Sequence, residues 1–331
     1  MRIGFAYSKQ PKWPKNGWVA QALRDAGHEV TRIATADDLR RADAECDVVL
    51  FSQKGAGLPH ADVMSAAKGR QAVWACWVFD LMAMRGRGLQ GQSTLFRTDY
   101  AQRPILNSFA TLLAECDIVF VKERGLLADY HRLGIKAVWL DQGCPCGMPA
   151  TEYADAPEYD VLLWGCTHNE WRERRNDVAA LVNAGYVVAW AGAAGPPVVG
   201  GSLPLQFCPP FELPSLISKA AVVLCCDMRH DIDGYWSDRF WLATGAGACV
   251  VRRSTPGLPP GPYLHYSNHE QLILHVGYLR TEPEVRRSLG RAARSWTFRS
   301  HLVGNRVKEL VERCRAIVEK KSAASAKAQA R

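Results

Sequence analysis

Residues 235–258 read YWSDRFWLATGAGACVVRRSTPGL. A polar opening, Ser237-Asp238-Arg239, runs into a short apolar helix that stops at Gly245 and Gly247. An apolar strand follows at 248–251, then a turn at Pro256-Gly257. A helix start carries unpaired N–H groups and a partial positive charge, so this geometry suits a nucleotide's phosphates or sugar hydroxyls. A short helix leading into a fully apolar strand is one half of an α/β unit, which predicts the same layering on either side.

The layering extends in both directions. Strand-length apolar runs fall at 2–7, 29–34, 48–52, 72–78, 118–121 and 137–140, with helical patterns at 18–26, 104–114 and 125–133. A Cys/Pro/Gly-rich stretch, GCPCGMPATEYADAPEY, then breaks the pattern and marks a linker. Beyond it come strands at 160–164, 186–190 and 221–226, with helices at 170–183, 214–220, 270–279, 283–295 and 301–318. A Gly/Pro loop occupies 192–204, and KKSAASAKAQAR closes the chain as a disordered basic tail. The expected organisation is two facing doubly wound domains, 1–150 and 151–318, with the last helix crossing back and a tail at 319–331. A ligand would sit in the cleft at the carboxyl ends of the strands.

Composition narrows the class. Apolar residues make up 48% and charged residues 22% of the 331, enough to build a core in each half. No apolar run has the length of a membrane span, and RIGFAYS opens the chain as a strand rather than a leader, which implies a cytosolic protein. The 11 cysteines lack paired C-x-x-C knuckles and read as buried reduced thiols. The charge of +8 is uneven: +4 over 1–150, −1 over 151–304 and +5 over 305–331. That distribution fits a polyanionic partner, or simply a soluble surface.

The quoted stretch resembles the S-D-R-x-x-E-A-x-A-x-G-A-x-V signature, with its following P-G-L, of CgeB-like glycosyltransferases of the group-one GT-B class. The runs at 116–145, 161–192 and 281–311 are similar to other parts of that family, whereas residues 1–100 match it only loosely. The resemblance implies two Rossmann-like domains of GT-B type and a UDP-sugar, most simply UDP-glucose, as co-substrate. It also implies transfer of a hexose to a hydroxyl with retention, and no obligatory cofactor. One position departs from the pattern: the ribose-binding glutamate of the family is Leu242 here. Asp238 or Asp233 would then have to serve the ribose, or the chain is a non-catalytic nucleotide-sugar or nucleic-acid binder.

Candidate site residues follow. Thr167-x-x-Glu170 spells a capping box for a helix that carries Arg172 and Arg175 one turn apart. With His168 in the turn, and with Ser237, Asp238 and Arg239, these are the expected donor contacts, aimed where leaving-group charge develops. The WACWVFD run ends at Asp80, which would contact or deprotonate the acceptor hydroxyl. On the acceptor side stand Lys15 and Asn16, with Lys9 and Lys12 in the same loop, and Arg85, Arg87 and Arg97 on a glycine-rich segment. The resemblance implies varied acceptors, the 5-hydroxymethylpyrimidines of DNA among them; those arginines suit a phosphate backbone, so a base such as 5-hydroxymethylcytosine is the expected acceptor. Envelope polymers, spore polymers and proteins are the alternatives. Asp231-x-Asp233 imitates a D-x-D metal motif, but among 18 aspartates one such pair is expected by chance, and no metal is predicted.

Overall fold

The computed structural model describes residues 1–7, 15–52, 58–79, 84–85, 93–94, 111–154, 156–165, 172–192, 201–206, 208–227 and 230–329. The chain divides into two compact units. The first is Met1–Asp141 together with Val303–Arg331, and the second is Gln142–Leu302. The division falls at 141/142 rather than at 150/151, and the last helix belongs to the first unit from its first residue.

In the first unit, β1 (Arg2–Ala6), β2 (Glu29–Ile33), β3 (Val48–Ser52) and β4 (Val73–Trp77) alternate with α1 (Lys15–Asp25), α2 (Ala36–Glu45) and α3 (His60–Ala67). A two-residue antiparallel pair follows, β5 (Met84–Arg85) with β6 (Ser93–Thr94). Then come β7 (Ile118–Val121), α4 (Leu127–Arg132) and β8 (Ala137–Trp139). The six longer strands form one parallel sheet in the order β2-β1-β3-β4-β7-β8, with Phe5 opposite Leu50 and Leu50 opposite Ala75. β3, β4 and β7 are buried at every position. Burial on both faces is why they read as unbroken apolar runs rather than alternating ones.

The helix α2 carries no apolar stripe strong enough to announce it. It is set by its start: the Thr35 hydroxyl accepts the Asp38 N–H, and the Asp38 carboxylate accepts the Thr35 N–H. At the other end of the chain α10 runs over Val303–Gln329, so residues 319–329 are helical where a disordered tail was expected. Val303, Val307, Leu310, Val311 and Cys314 bury its inner face in the first unit's core. Farther along, Lys321 Nζ reaches Asp117 Oδ2 at 2.9 Å and the Ala72 carbonyl at 3.1 Å. Burial alone would raise the Asp117 carboxyl; Lys321, the Trp74 N–H and Arg70 hold it below its ordinary value.

The second unit repeats the architecture. Its strands are β9 (Tyr159–Trp164), β10 (Val188–Gly192), β11 (Leu203–Gln206), β12 (Ala220–Cys225), β13 (Val250–Arg253) and β14 (Leu264–Tyr266). Its helices are α5 (Arg172–Asn183), α6 (Leu213–Ile217), α7 (Asp238–Ala246), α8 (His269–Thr281) and α9 (Pro283–Ser300). The sheet is parallel throughout, in the order β11-β10-β9-β12-β13-β14. β11 overlaps the end of the stretch expected as loop at Leu203 and Pro204; an edge strand tolerates the proline because no outer neighbour needs an N–H there.

Both sheets are doubly wound. The chain leaves the middle of each sheet in one direction and returns to build in the other, reversing between β1 and β3 in the first and between β9 and β12 in the second. Ligands of such sheets bind outside the carboxyl ends of the strands at that reversal.

Candidate functional site

At the reversal of the second sheet, β9 ends on Gly165 and β12 leads into Cys226 and Asp227. Gly165 has φ = +146°, a conformation that side chains resist. Its peptide is held from β10: the N–H donates to the Ala191 carbonyl at 2.9 Å, and its carbonyl accepts the Trp190 indole N–H at 3.0 Å. A Cβ placed there would lie 2.9 Å from Arg239 Nη1 and 3.1 Å from Arg174 Nη1. The missing side chain is what lets two guanidiniums meet at the end of this strand.

Each arginine arrives on its own element. Arg174 sits in the first turn of α5 and is buried, its Nε and Nη2 donating to the Cys226 carbonyl at 3.2 and 2.7 Å. Arg239 sits in the first turn of α7 and is half-buried. Between them a small pocket is lined by Leu163, Trp164, Arg174, Ser237, Arg239 and Ala243, among others.

Asp227 organises the start of α7. Ser237 is its N-cap, but the Ser237 hydroxyl makes no cap bond within the helix. Instead its N–H donates to Asp227 Oδ1 at 3.1 Å, and its hydroxyl serves the same carboxylate. Arg252, at the end of β13, donates to Asp227 Oδ2 at 2.5 Å and lies over the Phe240 ring. Asp227 is fully enclosed. Burial pushes its carboxyl up, but Arg252, Ser237 and Arg239 together hold it below its ordinary value. The corner therefore gathers three guanidiniums, Arg174, Arg239 and Arg252, around a buried carboxylate that stays ionised. Such a corner can take a polyanion at two helix starts and the end of a strand.

The expected donor residues fare unevenly. Ser237, Asp238 and Arg239 are at the start of α7. Arg175 is half-buried and does not line the pocket. Arg172 opens α5, but its side chain is outside the described residues, as are Thr167, His168 and the capping-box partner Glu170. Arg174, Asp227 and Arg252 were missed. The signal for Arg174 was present: Arg174, Val178 and Leu181 repeat at helical spacing, so of the arginines at 172–175 this one shares the buried face.

On the acceptor side, Lys15 and Asn16 open α1, with Lys15 Nζ 5.8 Å above the Phe79 ring. Asp80, Arg87, Arg97, Lys9 and Lys12 lie outside the described residues, and of Arg85 only the backbone is described, in β5. Leu242 is fully buried, so it leaves no room for a carboxylate role at that position of α7. Among the described residues no three His, Cys, Asp or Glu side chains group as metal ligands, and no helix is long and apolar enough to cross a membrane.

Two doubly wound units with parallel six-stranded sheets define the GT-B fold. Solved structures share it along nearly the whole chain. Sucrose-phosphate synthase from Thermosynechococcus elongatus aligns with a TM-score of 0.65 at 12% identity, over 97% of this chain and 100% of that one. HepE from Anabaena in complex with UDP-glucose aligns at 0.62 and 9% identity, over 95% and 99%. A putative UDP-N-acetylglucosamine 2-epimerase from Listeria monocytogenes aligns at 0.56 and 13%, over 97% of each chain. A transferase and an epimerase on one scaffold show that fold alone leaves the reaction open. No curated protein matches the sequence. Residues 150–312, just under half of the chain, match the glycosyl transferase-like family. In that segment the chain is similar to glycosyl transferases, on a fold that it shares with GT-B glycosyltransferases.

Proposed function

We propose that this enzyme moves a hexose, glucose in the simplest case, from a UDP-sugar to a hydroxyl group. The observation that carries the reading is the meeting of Arg174 and Arg239 at Gly165. As the bond from the anomeric carbon to the phosphate oxygen breaks, negative charge grows on the departing diphosphate. Guanidiniums already fixed at that point stabilise it without reorganising. That HepE binds UDP-glucose on the same fold supports the choice of donor. With retention of configuration, the departing phosphate oxygen takes the acceptor's proton and Asp80 orients the acceptor.

The proposed acceptor is a 5-hydroxymethylpyrimidine in DNA. Its support is the distribution of charge, +4 over residues 1–150 and +5 over 305–331, together with Arg85, Arg87 and Arg97 in sequence. The base would be turned out of the duplex to reach the donor. The test is UDP release from a panel of UDP-sugars, with hydroxymethylcytosine-containing DNA, unmodified DNA, or no acceptor. Sugar incorporation into the modified DNA alone is expected. Release with an envelope or protein acceptor only would move the acceptor there. Binding of UDP without any release would make the chain a binding protein.

A further inference from the structure

One buried charge cluster in the second unit is not used by the donor site, although it shares an element with it. Asp177 lies on α5, three residues beyond Arg174, and is fully buried. Its carboxylate is approached from three other elements. Arg253 Nη2 at the end of β13 donates to Oδ1 at 3.0 Å, and the Tyr266 hydroxyl at the end of β14 donates to Oδ2 at 2.6 Å. His269 Nε2, the first residue of α8, lies 3.1 Å from Oδ1. Arg253 Nη1 also donates to Glu173 Oε2 at 2.8 Å, so one guanidinium spans two carboxylates one turn apart on the same face of α5.

Cys226 joins this cluster to the donor corner. Its carbonyl accepts both donors of Arg174. Its thiol sits against Asp177; burial first, and then that carboxylate, push the thiol well above its ordinary value. Residues three apart on a helix are neighbours on one face, and a hydrogen-bonded turn does not let one move without the other. Where Asp177 is held therefore decides where the Arg174 guanidinium lies at Gly165.

We infer that Asp177 is a positioning residue: clamped by Arg253, Tyr266 and His269, it sets Arg174 at the anion corner through the first turns of α5. The inference rests on the donor reading above. An anchor of this kind is needed because two guanidiniums within reach of one point repel each other until an anion arrives. The charged anchor, tied to three strand and helix ends behind it, resists that repulsion.

The experiment measures UDP binding by titration calorimetry and donor and acceptor KM in steady state, well below each variant's melting temperature. Asp177→Asn and Arg253→Gln are expected to raise the UDP Kd and the donor KM by roughly 10–100-fold, leaving the acceptor KM unchanged. Tyr266→Phe keeps the ring, removes one donor, and is expected to give a smaller rise in the same direction; it carries the test if the other variants do not fold. In an Arg174→Ala background, Asp177→Asn should add nothing further to the UDP Kd, because the clamp acts through that guanidinium. Lower melting temperatures with wild-type UDP affinity and donor KM would overturn the clamp alone. Additive losses in the Arg174→Ala background would overturn it too. A wild-type chain that fails to bind UDP overturns the donor reading, and the clamp with it.

Discussion

At the scale of single residues, the site is a problem of placing like charges together. Arg174 and Arg239 meet only because Gly165 has no side chain, and because Arg174 is tied to the Cys226 carbonyl behind them. If their role is to receive leaving-group charge, Arg174→Gln and Arg239→Gln should each lower kcat/KM for the donor by roughly 10–1000-fold with far-ultraviolet circular dichroism unchanged. Wild-type turnover in both would remove the assignment. Asp227 is a titrating element of the same corner. Its folded-state value is depressed, so its contribution is complete above the unfolded carboxyl value and is lost as pH falls through the folded one. The melting temperature of Asp227→Asn should therefore lie farthest below wild type at neutral pH. The gap should begin to narrow as pH falls below about 4, the unfolded carboxyl value, and close only once the depressed folded-state value is passed.

At the scale of elements, α7 shows how a helix is positioned by what crosses it. Of the two glycines expected to stop this helix, Gly245 lies inside it and Gly247, at φ = +85°, is the stop. The glycine inside serves a close approach: a Cβ on Gly245 would run into Cys144 Sγ, with Thr297 next to it. Cys144 belongs to the segment that opens the second unit, and its N–H donates to the His301 carbonyl at 2.9 Å. Gly245→Ala is accordingly expected to cost about 1–3 kcal/mol in chemical denaturation. Adding Cys144→Ala removes the sulfur and should recover part of that loss. No recovery would mean the backbone of α7, rather than this contact, resists the side chain.

At the scale of the whole molecule, the first unit is built from two distant pieces of chain. Residues 1–141 supply the sheet, and α10 returns to cover it with Val303, Val307, Leu310, Val311 and Cys314. Buried aliphatic side chains contribute roughly 1.5–3 kcal/mol each, so losing this helix removes an amount comparable to the whole stability of an ordinary domain. A chain ending at Leu302 should lose the cooperative melting of the first unit and aggregate, while residues 142–302 keep theirs. Two separate, undiminished transitions would contradict this. The chemistry proposed relies on guanidiniums and helix starts, and transfer should therefore persist in EDTA. Loss on chelation with recovery in manganese or magnesium would bring Asp231 and Asp233 back as ligands.

Much of this was legible in one dimension, and the reason is local. A parallel strand buried on both faces must be apolar throughout, so VVLFS, VWACW, YDVLLW and AAVVLC announce two layered sheets without any knowledge of their partners. The helix start at Ser237-Asp238-Arg239 was equally visible, because polar residues before an apolar run mark a helix entry. Contacts between distant residues were not. Helical spacing puts Arg174 on a buried face, but nothing local shows that its guanidinium is held by the carbonyl of Cys226, 52 residues on. The anchor of α7 proved to be Asp227, ten residues upstream, and not the hydroxyl of Ser237 itself. The tail is helical to Gln329, and its Lys321 pairs with Asp117, 204 residues away. Sequence determined which segments form strands and helices, since burial and capping act over a few residues. Tertiary structure decided which charged groups work together, since a buried charge is stabilised only by whichever partner the fold brings to it.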